Sequence, residues 1–292
     1  LIYKENEDKF CLPKYYGIKN FGQPDLTDFN ESKEINLSFN GNLRDYQKKV
    51  VDTVIPKIKN QEGGTISLPP GRGKTVIACN IISKLKTKTL VVVHKTFLLN
   101  QWKNRIEYFL PNSKVGIIQG KNIDVDDKDI VIGMLQTLSL KDDYPDDVFD
   151  DFGCIIFDEC HHLSAEKFSQ ILKKISLRYM IGLSGTPFRN DKLEKVFDYH
   201  IGEIMYYEKP QVNQDILVEI HKYSIEHEKF KIILNKYTKE AQISTMITNI
   251  TEINERSNYI VSLIKKCRED VNRKILILSD RLDHLDYMLN MV

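Results

Sequence analysis

Long hydrophobic runs are missing from this sequence. Its longest, Ile130 to Leu135 and Cys154 to Phe157, fall far short of the ~20 residues a membrane-spanning helix needs, so no membrane partner is expected. The start, Leu1 to Phe10, is polar and acidic, without the basic and then apolar pattern of a secretory signal. It opens on Leu, not Met, and reads as a piece of a longer product. An excess of one charge is also missing. Lys and Arg number 42 against 41 for Asp and Glu, a formal net charge of +1. Any surface for nucleic acid must therefore be a local patch, not a global property. There is no CxxC pair, and the five cysteines are scattered and odd in number, which fits reduced thiols in a reducing compartment. Cys154, Cys160, His161 and His162 lie close enough to suggest zinc. However, Cys154 belongs to an apolar run that reads as a buried strand, pointing away from any shared site. Internal repeats and low-complexity tracts are absent.

What is present is the composition of a folded chain. Of the 292 residues, 41% are hydrophobic and 28% charged, and at roughly 150 residues per domain the length suggests two domains. From residue 64, β-rich runs (Thr65–Leu68, Thr89–Val93, Val115–Ile118, Asp129–Gly133, Cys154–Phe157, Met180–Leu183) alternate with amphipathic segments. The helical segments are Val76–Leu85, Phe97–Phe109 and Ala165–Ile175. This alternation predicts an α/β fold with a parallel sheet covered by helices on both faces. Residues 1–40 lack the rhythm and read as an irregular N-terminal extension. Asp142 to Asp151 reads as a solvated acidic turn. After residue 205 the pattern weakens, with an isolated alternating strand at Val218–Tyr223 and a helix at Ser257–Lys266. Lys274–Ser279 then reads as a buried strand that opens a further α/β domain. The expected division is 1–40, 41–205, a connecting segment 206–255, and 256–292 as the start of a second domain.

Between a strand and a helix lies Leu68-Pro69-Pro70-Gly71-Arg72-Gly73-Lys74-Thr75. Gly71 and Gly73 let backbone N–H groups approach phosphate oxygens, and the following helix turns its positive end toward them. Lys74 is placed to reach the β- and γ-phosphates, and Thr75 to put its hydroxyl on Mg²⁺. The strict pattern has Gly where this chain has Leu68. A second signal is Asp158-Glu159, delivered at the carboxyl end of a strand, where open α/β sheets bind ligands. There Asp158 can hold the metal and Glu159 can orient or deprotonate an attacking water. Together these signals indicate a nucleoside triphosphatase that uses Mg²⁺.

Asp158-Glu159-Cys160-His161 resembles motif II of superfamily 2 helicases and translocases, in the DExH (here DECH) branch. Leu43-Arg44-Asp45-Tyr46-Gln47 is similar to the segment whose Gln reads adenine, and Gln47 carries an amide able to donate and accept at once. Val91–Thr96 with Gln101-Trp102 is similar to motif Ia, Gly133–Thr137 to motif Ib, and Gly182–Pro187 to motif III, with Arg189 and Asp191 following as in many DNA-directed members. Ile275–Arg281 is similar to motif IV, which opens a second RecA-like domain. The resemblance runs from about residue 41 to the end and looks closest to the XPB-like group, including helicases of poxviruses and other large DNA viruses.

The resemblance implies a RecA-like first domain, the truncated start of a second, and ATP-driven 3′-to-5′ movement on nucleic acid, DNA ahead of RNA, in transcription or repair. The transcription machinery is an implied partner. The implied place is the cytoplasm, in a viral factory or virion for a viral protein, or the nucleus for a cellular one. It assigns ATP binding to Gln47, Pro70, Gly71, Arg72, Gly73, Lys74 and Thr75, the metal to Thr75 and Asp158, and catalysis to Glu159 with Lys74 and Asp158. His161, Ser184 and Thr186 are implied couplers of ATP to nucleic acid. Lys95, Thr96, Gln136 and Thr137 are implied strand-backbone contacts, which carry no sequence information. Trp102 is expected to pack in the core, and His162 to be structural. No segment matches motif VI, Gln-x-x-Gly-Arg-x-x-Arg, whose arginine fingers can contribute ~10³ to 10⁵ in rate. The 292-residue fragment is therefore expected to bind ATP weakly at best and to hydrolyse it very slowly, if at all. Three alternatives stay open: an RNA helicase, an RNA sensor switched by ATP, and the motor subunit of a restriction system.

Overall fold

A computed structural model describes residues 4–5, 9–27, 29, 31–140, 144–145, 147–160, 170–172, 174–175, 177–185, 194–209 and 217–292. The chain forms two compact units, Leu1–Val212 and Asn213–Val292.

The first unit is built on an eight-stranded sheet. Its strands are β3 (Gly63–Ser67), β4 (Thr89–Val93), β5 (Val115–Gln119), β6 (Asn122–Ile123), β7 (Ile130–Met134), β8 (Cys154–Phe157), β9 (Tyr179–Ser184) and β10 (Ile204–Tyr207). They lie in the order β10-β3-β9-β8-β4-β7-β5-β6. Every neighbouring pair is parallel except the hairpin of β5 and β6. β4 shows why the central strands read as unbroken apolar runs. Val91 and Val93 face one hydrophobic layer, while Leu90 and Val92 face another. A strand covered on both faces has no use for a polar side chain.

One layer is closed by α2 (Asp45–Gln61), α3 (Lys74–Leu85) and α4 (Thr96–Phe109). They bury Val50, Val54 and Ile58 from α2, Ile77, Ile81 and Ile82 from α3, and Leu99, Trp102 and Ile106 from α4. Spacings of three and four, with the adjacent Ile81 and Ile82 widening the α3 stripe, put each set on one helix face. The other layer is closed by α5 (Leu135–Leu140), by Ile171 and Ile175, and by α6 (Glu194–Ile201) through Phe197 and Ile201. Burial of each such side chain contributes roughly 1.5–3 kcal/mol. The architecture is the expected α/β one, a mostly parallel sheet sandwiched by helices. Burial also pushes the Cys79 and Cys154 thiols up to about 12, so neither is poised to react.

Three expectations require correction. Residues 1–40 are not an irregular extension. β1 (Lys4–Glu5) and β2 (Phe10–Cys11) pair antiparallel, and α1 (Lys14–Phe21) docks on α6 through an edge-to-face pair of Tyr16 and Tyr199 at 5.0 Å. Tyr15 Oη donates to the Gln61 carbonyl at 3.0 Å, Lys14 pairs with Glu62 at 2.7 Å, and Ile35 enters the core. An eight-residue helix held by polar contacts leaves too short an apolar stripe to stand out. The described part of Asp142–Asp151 is a turn with Pro145, Asp147 and Asp150 exposed, as expected, and it is anchored at its ends. Tyr144 Oη donates to the Thr137 carbonyl at 3.1 Å, Phe152 is buried, and Asp151 takes an ion pair from the buried Lys88 at 2.6 Å.

The other two corrections lie in the second unit. It holds α7 (Ile243–Thr251), α8 (Asn254–Arg268) and α9 (Leu282–Met291), with a small core of Val261, Ile264 and Met288. Val218–Tyr223 and Lys274–Ser279 form no strand there, and Val218, Ile220, Leu276 and Leu278 are exposed. A strand needs a neighbour to take its backbone hydrogen bonds, and among the described residues neither segment has one. The helix expected at Ser257–Lys266 is present and longer.

Candidate nucleotide site

The loop between β3 and α3 turns at Gly71 and Gly73, with φ of 79° and 75°. This left-handed region costs a side-chain-bearing residue ~1–2 kcal/mol. Gly73 is the N-cap of α3, so Lys74 and Thr75 begin the helix and its unpaired N–H groups face the loop. Alongside is a cleft of about 600 Å³. Pro70, Gly71, Gly73, Lys74, Thr75, Asp158, Glu159 and Gln47 line it, together with Leu98, Gln101, Arg105 and Phe109 from α4. The phosphate loop and the acidic strand end therefore share one cleft, at the carboxyl edge of the sheet.

Lys74 Nζ sits 3.0 Å from Glu159 Oε1 and 3.4 Å from the Leu68 carbonyl. Glu159 Oε2 accepts from the Gly185 backbone N–H at 3.2 Å. One carboxylate thus bridges the phosphate loop and the end of β9. Glu159 also takes a φ of 48°, uncommon for any residue but Gly, Asn or Asp. Such strain persists where surroundings over-determine it, and it gathers at functional sites. Next to it, Asp158 is 6% exposed, and its Oδ2 accepts from Trp102 Nε1 at 2.7 Å. Burial raises the Asp158 carboxyl above its ordinary range, against the pull of the Trp102 hydrogen bond.

Gln47 is almost buried. Its Oε1 accepts from the Arg44 N–H at 3.0 Å and its Nε2 donates to the Arg72 carbonyl at 3.2 Å, so the amide uses both ends. Arg72 is not among the residues lining the cleft. Its guanidinium stacks over Tyr46 at 4.0 Å and pairs with Glu208, just past β10. Ser184 is buried, and its carbonyl accepts from the Leu68 N–H at 2.9 Å. His161, His162, Thr186, Arg189 and Asp191 lie outside the described residues.

The expected strand-contact residues share the carboxyl edge of the sheet. Lys95 and Thr96 are exposed at the start of α4. Gln136 Nε2 donates to the His94 carbonyl at 2.8 Å, joining the two loops, and Thr137 Oγ1 accepts from the Gly120 N–H at 2.9 Å. Sequence reasoning missed two ties, Trp102 to Asp158 and Arg72 to Glu208. Their partners lie far apart in the chain, and only the buried indole, which must find an acceptor, could have hinted at the first.

The residues fit a nucleotide with a divalent cation. Thr75 and Asp158 offer the hard oxygen donors Mg²⁺ takes, beside a lysine and a helix N-terminus suited to phosphates.

Comparison with known proteins agrees. Residues 40–189, half of the chain, match the family described as type III restriction enzyme, res subunit (ResIII). A protein of Acanthamoeba polyphaga mimivirus, named as an ATP-dependent RNA helicase, is 36% identical across all of this chain and 56% of its own length. An archaeal protein of Sulfurisphaera tokodaii, named DNA 3′-5′ translocase XPB2, is 35% identical over 56% of this chain and 35% of its own. The chain thus spans about half or less of these relatives. The UvsW helicase of bacteriophage T4 shares the fold, with a TM-score of 0.50 and 22% identity over 69% of this chain and 80% of its own. With its phosphate loop and Asp158-Glu159 strand end in one cleft of a RecA-like sheet, the chain belongs to the ResIII family of superfamily 2 helicases.

Proposed function

We propose that the whole protein is an ATP-driven helicase or translocase that moves 3′-to-5′ on nucleic acid, DNA ahead of RNA, in viral transcription or repair. The observation that carries this is Glu159, held between Lys74 of the phosphate loop and Gly185 at the end of β9. A residue so placed senses the nucleotide and transmits its state to the sheet edge where Lys95, Thr96, Gln136 and Thr137 gather. His161, Ser184 and Thr186 join Glu159 as couplers in this reading. The relative named as a DNA 3′-5′ translocase supports the direction and the substrate. The viral relative named as an RNA helicase supports the second reading, movement on RNA.

In this account residues 41–207 form the ATP-binding domain, extended beyond 205 because β10 completes the sheet, and residues 256–292 begin a second RecA-like domain. Viral relatives and the transcription reading favour the cytoplasm or a viral factory. No helix among the described residues is long and apolar enough to cross a membrane.

When bound, ATP with Mg²⁺ supplies the phosphoanhydride to be cleaved and the metal's charge over its phosphates. Lys74 exchanges Glu159 for the β- and γ-phosphates. Thr75 Oγ1 and the Asp158 carboxylate would hold the metal, and Gln47, still bonded to Arg44 and Arg72, would offer its second amide hydrogen and second lone pair to the adenine. Glu159, released from Lys74, orients the attacking water and takes its proton.

The test is ATP turnover by the whole protein with single-stranded DNA, duplex DNA or RNA, beside Glu159→Gln. The expected result is strong stimulation by DNA, with the variant binding ATP but turning over at least ~10²-fold more slowly. Stimulation by RNA alone establishes the second reading. Turnover unchanged in Glu159→Gln, or stimulated by no nucleic acid, overturns the mechanism.

A further inference from the structure

Trp102 is the one tryptophan in the chain, and packing explains only half of it. Its ring, 1% exposed, fills the layer between α4 and the sheet beside Leu99 and Ile106. Phe or Leu would fill most of that place. Its edge does something neither could: Nε1 donates to Asp158 Oδ2 at 2.7 Å, inside the protein. An indole N–H is a donor only, and a buried donor without a partner costs about 1–3 kcal/mol. The acceptor it has found is not a backbone carbonyl but the carboxylate lining the nucleotide cleft. Hydrogen bonds to an ionised acceptor are about twice as strong as neutral ones.

We propose that Trp102 is a positioning residue of the nucleotide site, its indole N–H fixing the Asp158 carboxylate in the orientation that meets the divalent cation. The inference rests on the reading of Asp158 as the metal-holding residue. A carboxylate has two rotatable dihedrals and two equivalent oxygens, so without a fixed partner it meets a cation in several poses. Held at Oδ2, Asp158 keeps one. This is the outer-shell logic of metal sites, where removal of the partner that orients a ligand costs ~10–100-fold in metal affinity. Trp102 also lies on α4, the helix that begins at Thr96. The helix that starts at the candidate strand contacts is therefore tied directly to the metal-holding carboxylate.

The test separates metal from nucleotide. Binding of the imido analogue of ATP to the full chain is measured by calorimetry in Mg²⁺ and in EDTA, for the unaltered protein and for Trp102→Phe. The phenyl ring keeps most of the packing and removes the donor. In the unaltered protein Mg²⁺ tightens binding; in Trp102→Phe that tightening shrinks by about tenfold while the Kd in EDTA stays within twofold. An unchanged Mg²⁺ effect, or equal weakening in both buffers, overturns the positioning role and leaves Trp102 as packing alone. No binding in either buffer overturns the nucleotide reading itself. No Mg²⁺ effect in the unaltered protein overturns the metal assignment of Asp158.

A second measurement does not depend on the Phe variant folding. With ¹⁵N-labelled tryptophan the chain gives a single indole N–H resonance. It is expected to move on addition of Mg²⁺ at saturating analogue, and to shift upfield in Asp158→Ala as the hydrogen bond is lost. A resonance that responds to neither change overturns the proposal.

Discussion

Gly73→Ala offers a graded test of the phosphate loop, because a neighbouring glycine is its control. At Gly73 an added Cβ would sit in left-handed backbone, φ 75°, and 2.5 Å from Gln47 Nε2. At Gly71 the φ is 79° and a Cβ would meet nothing within 4 Å. Both substitutions therefore carry backbone strain of ~1–2 kcal/mol. Only Gly73→Ala also drives the Gln47 amide away from the Arg72 carbonyl, losing a hydrogen bond worth about 1 kcal/mol. Gly73→Ala should cost about 1 kcal/mol more than Gly71→Ala, or ~2–4 °C further in Tm for a unit of this size. The displaced amide should also lose its selectivity. Calorimetry with ATP and GTP should show the preference for ATP retained in Gly71→Ala and reduced in Gly73→Ala. Equal unfolding temperatures together with an undiminished ATP preference in Gly73→Ala would refute the placement of Gln47 as both loop support and base reader.

Two further predictions concern parts of the molecule away from the cleft. Lys88 is buried at the opposite end of β4, with Nζ 2.8 Å from the Val125 carbonyl, 2.6 Å from Asp151 and 4.4 Å over the Phe152 ring. Lys88→Met keeps the volume but strands the Val125 carbonyl, while the half-exposed Asp151 returns to water. Denaturant unfolding should show a loss of about 2 kcal/mol, and a loss under ~0.5 kcal/mol would contradict the account. In the second unit, burial and the nearby Arg256 lower the His284 pKa below 6.5, and its Nε2 lies 3.0 Å from Ser257 Oγ. The unfolded chain then binds the proton more readily than the folded one. The contribution is present in full above pH ~6.5 and is lost as pH falls below it, toward the folded-state pKa. Unfolding followed by hydrogen exchange in α8 and α9 should show this slope, and His284→Gln should flatten it; a slope that survives the substitution contradicts the assignment.

The legible parts of the fold were those where one local constraint acts alone. β4 and β8 could be read to the residue because strands covered on both faces allow no polar side chain, and Asp158-Glu159 stood out as charge following such a run. Lys74 and Thr75 were legible because the loop chemistry demands those residue types at that spacing. Helix α2 passed unremarked although Val50, Val54 and Ile58 mark its buried face. β10 was hidden because half of an edge strand is exposed, so Ile204–Tyr207 carries no continuous apolar run. Ile275 to Leu278 misled for the opposite reason: apolarity predicts a strand only where a neighbour can pair with it. The site showed the same limit. Sequence spacing located the acids and the lysine, but whether Glu159 reaches Gly185, or Trp102 reaches Asp158, depends on how distant segments meet.

The most direct test of the central claim is calorimetric titration of ATP with Mg²⁺ into the 292-residue chain, beside Lys74→Ala. The lysine is the one cation both lining the cleft and paired to Glu159 among the described residues. The account predicts a single site in the unaltered chain, weakened at least ~10-fold in Lys74→Ala, the ~1.4 kcal/mol expected for one lost charge-assisted phosphate contact. Binding of equal strength in both proteins, or none in either, would contradict it.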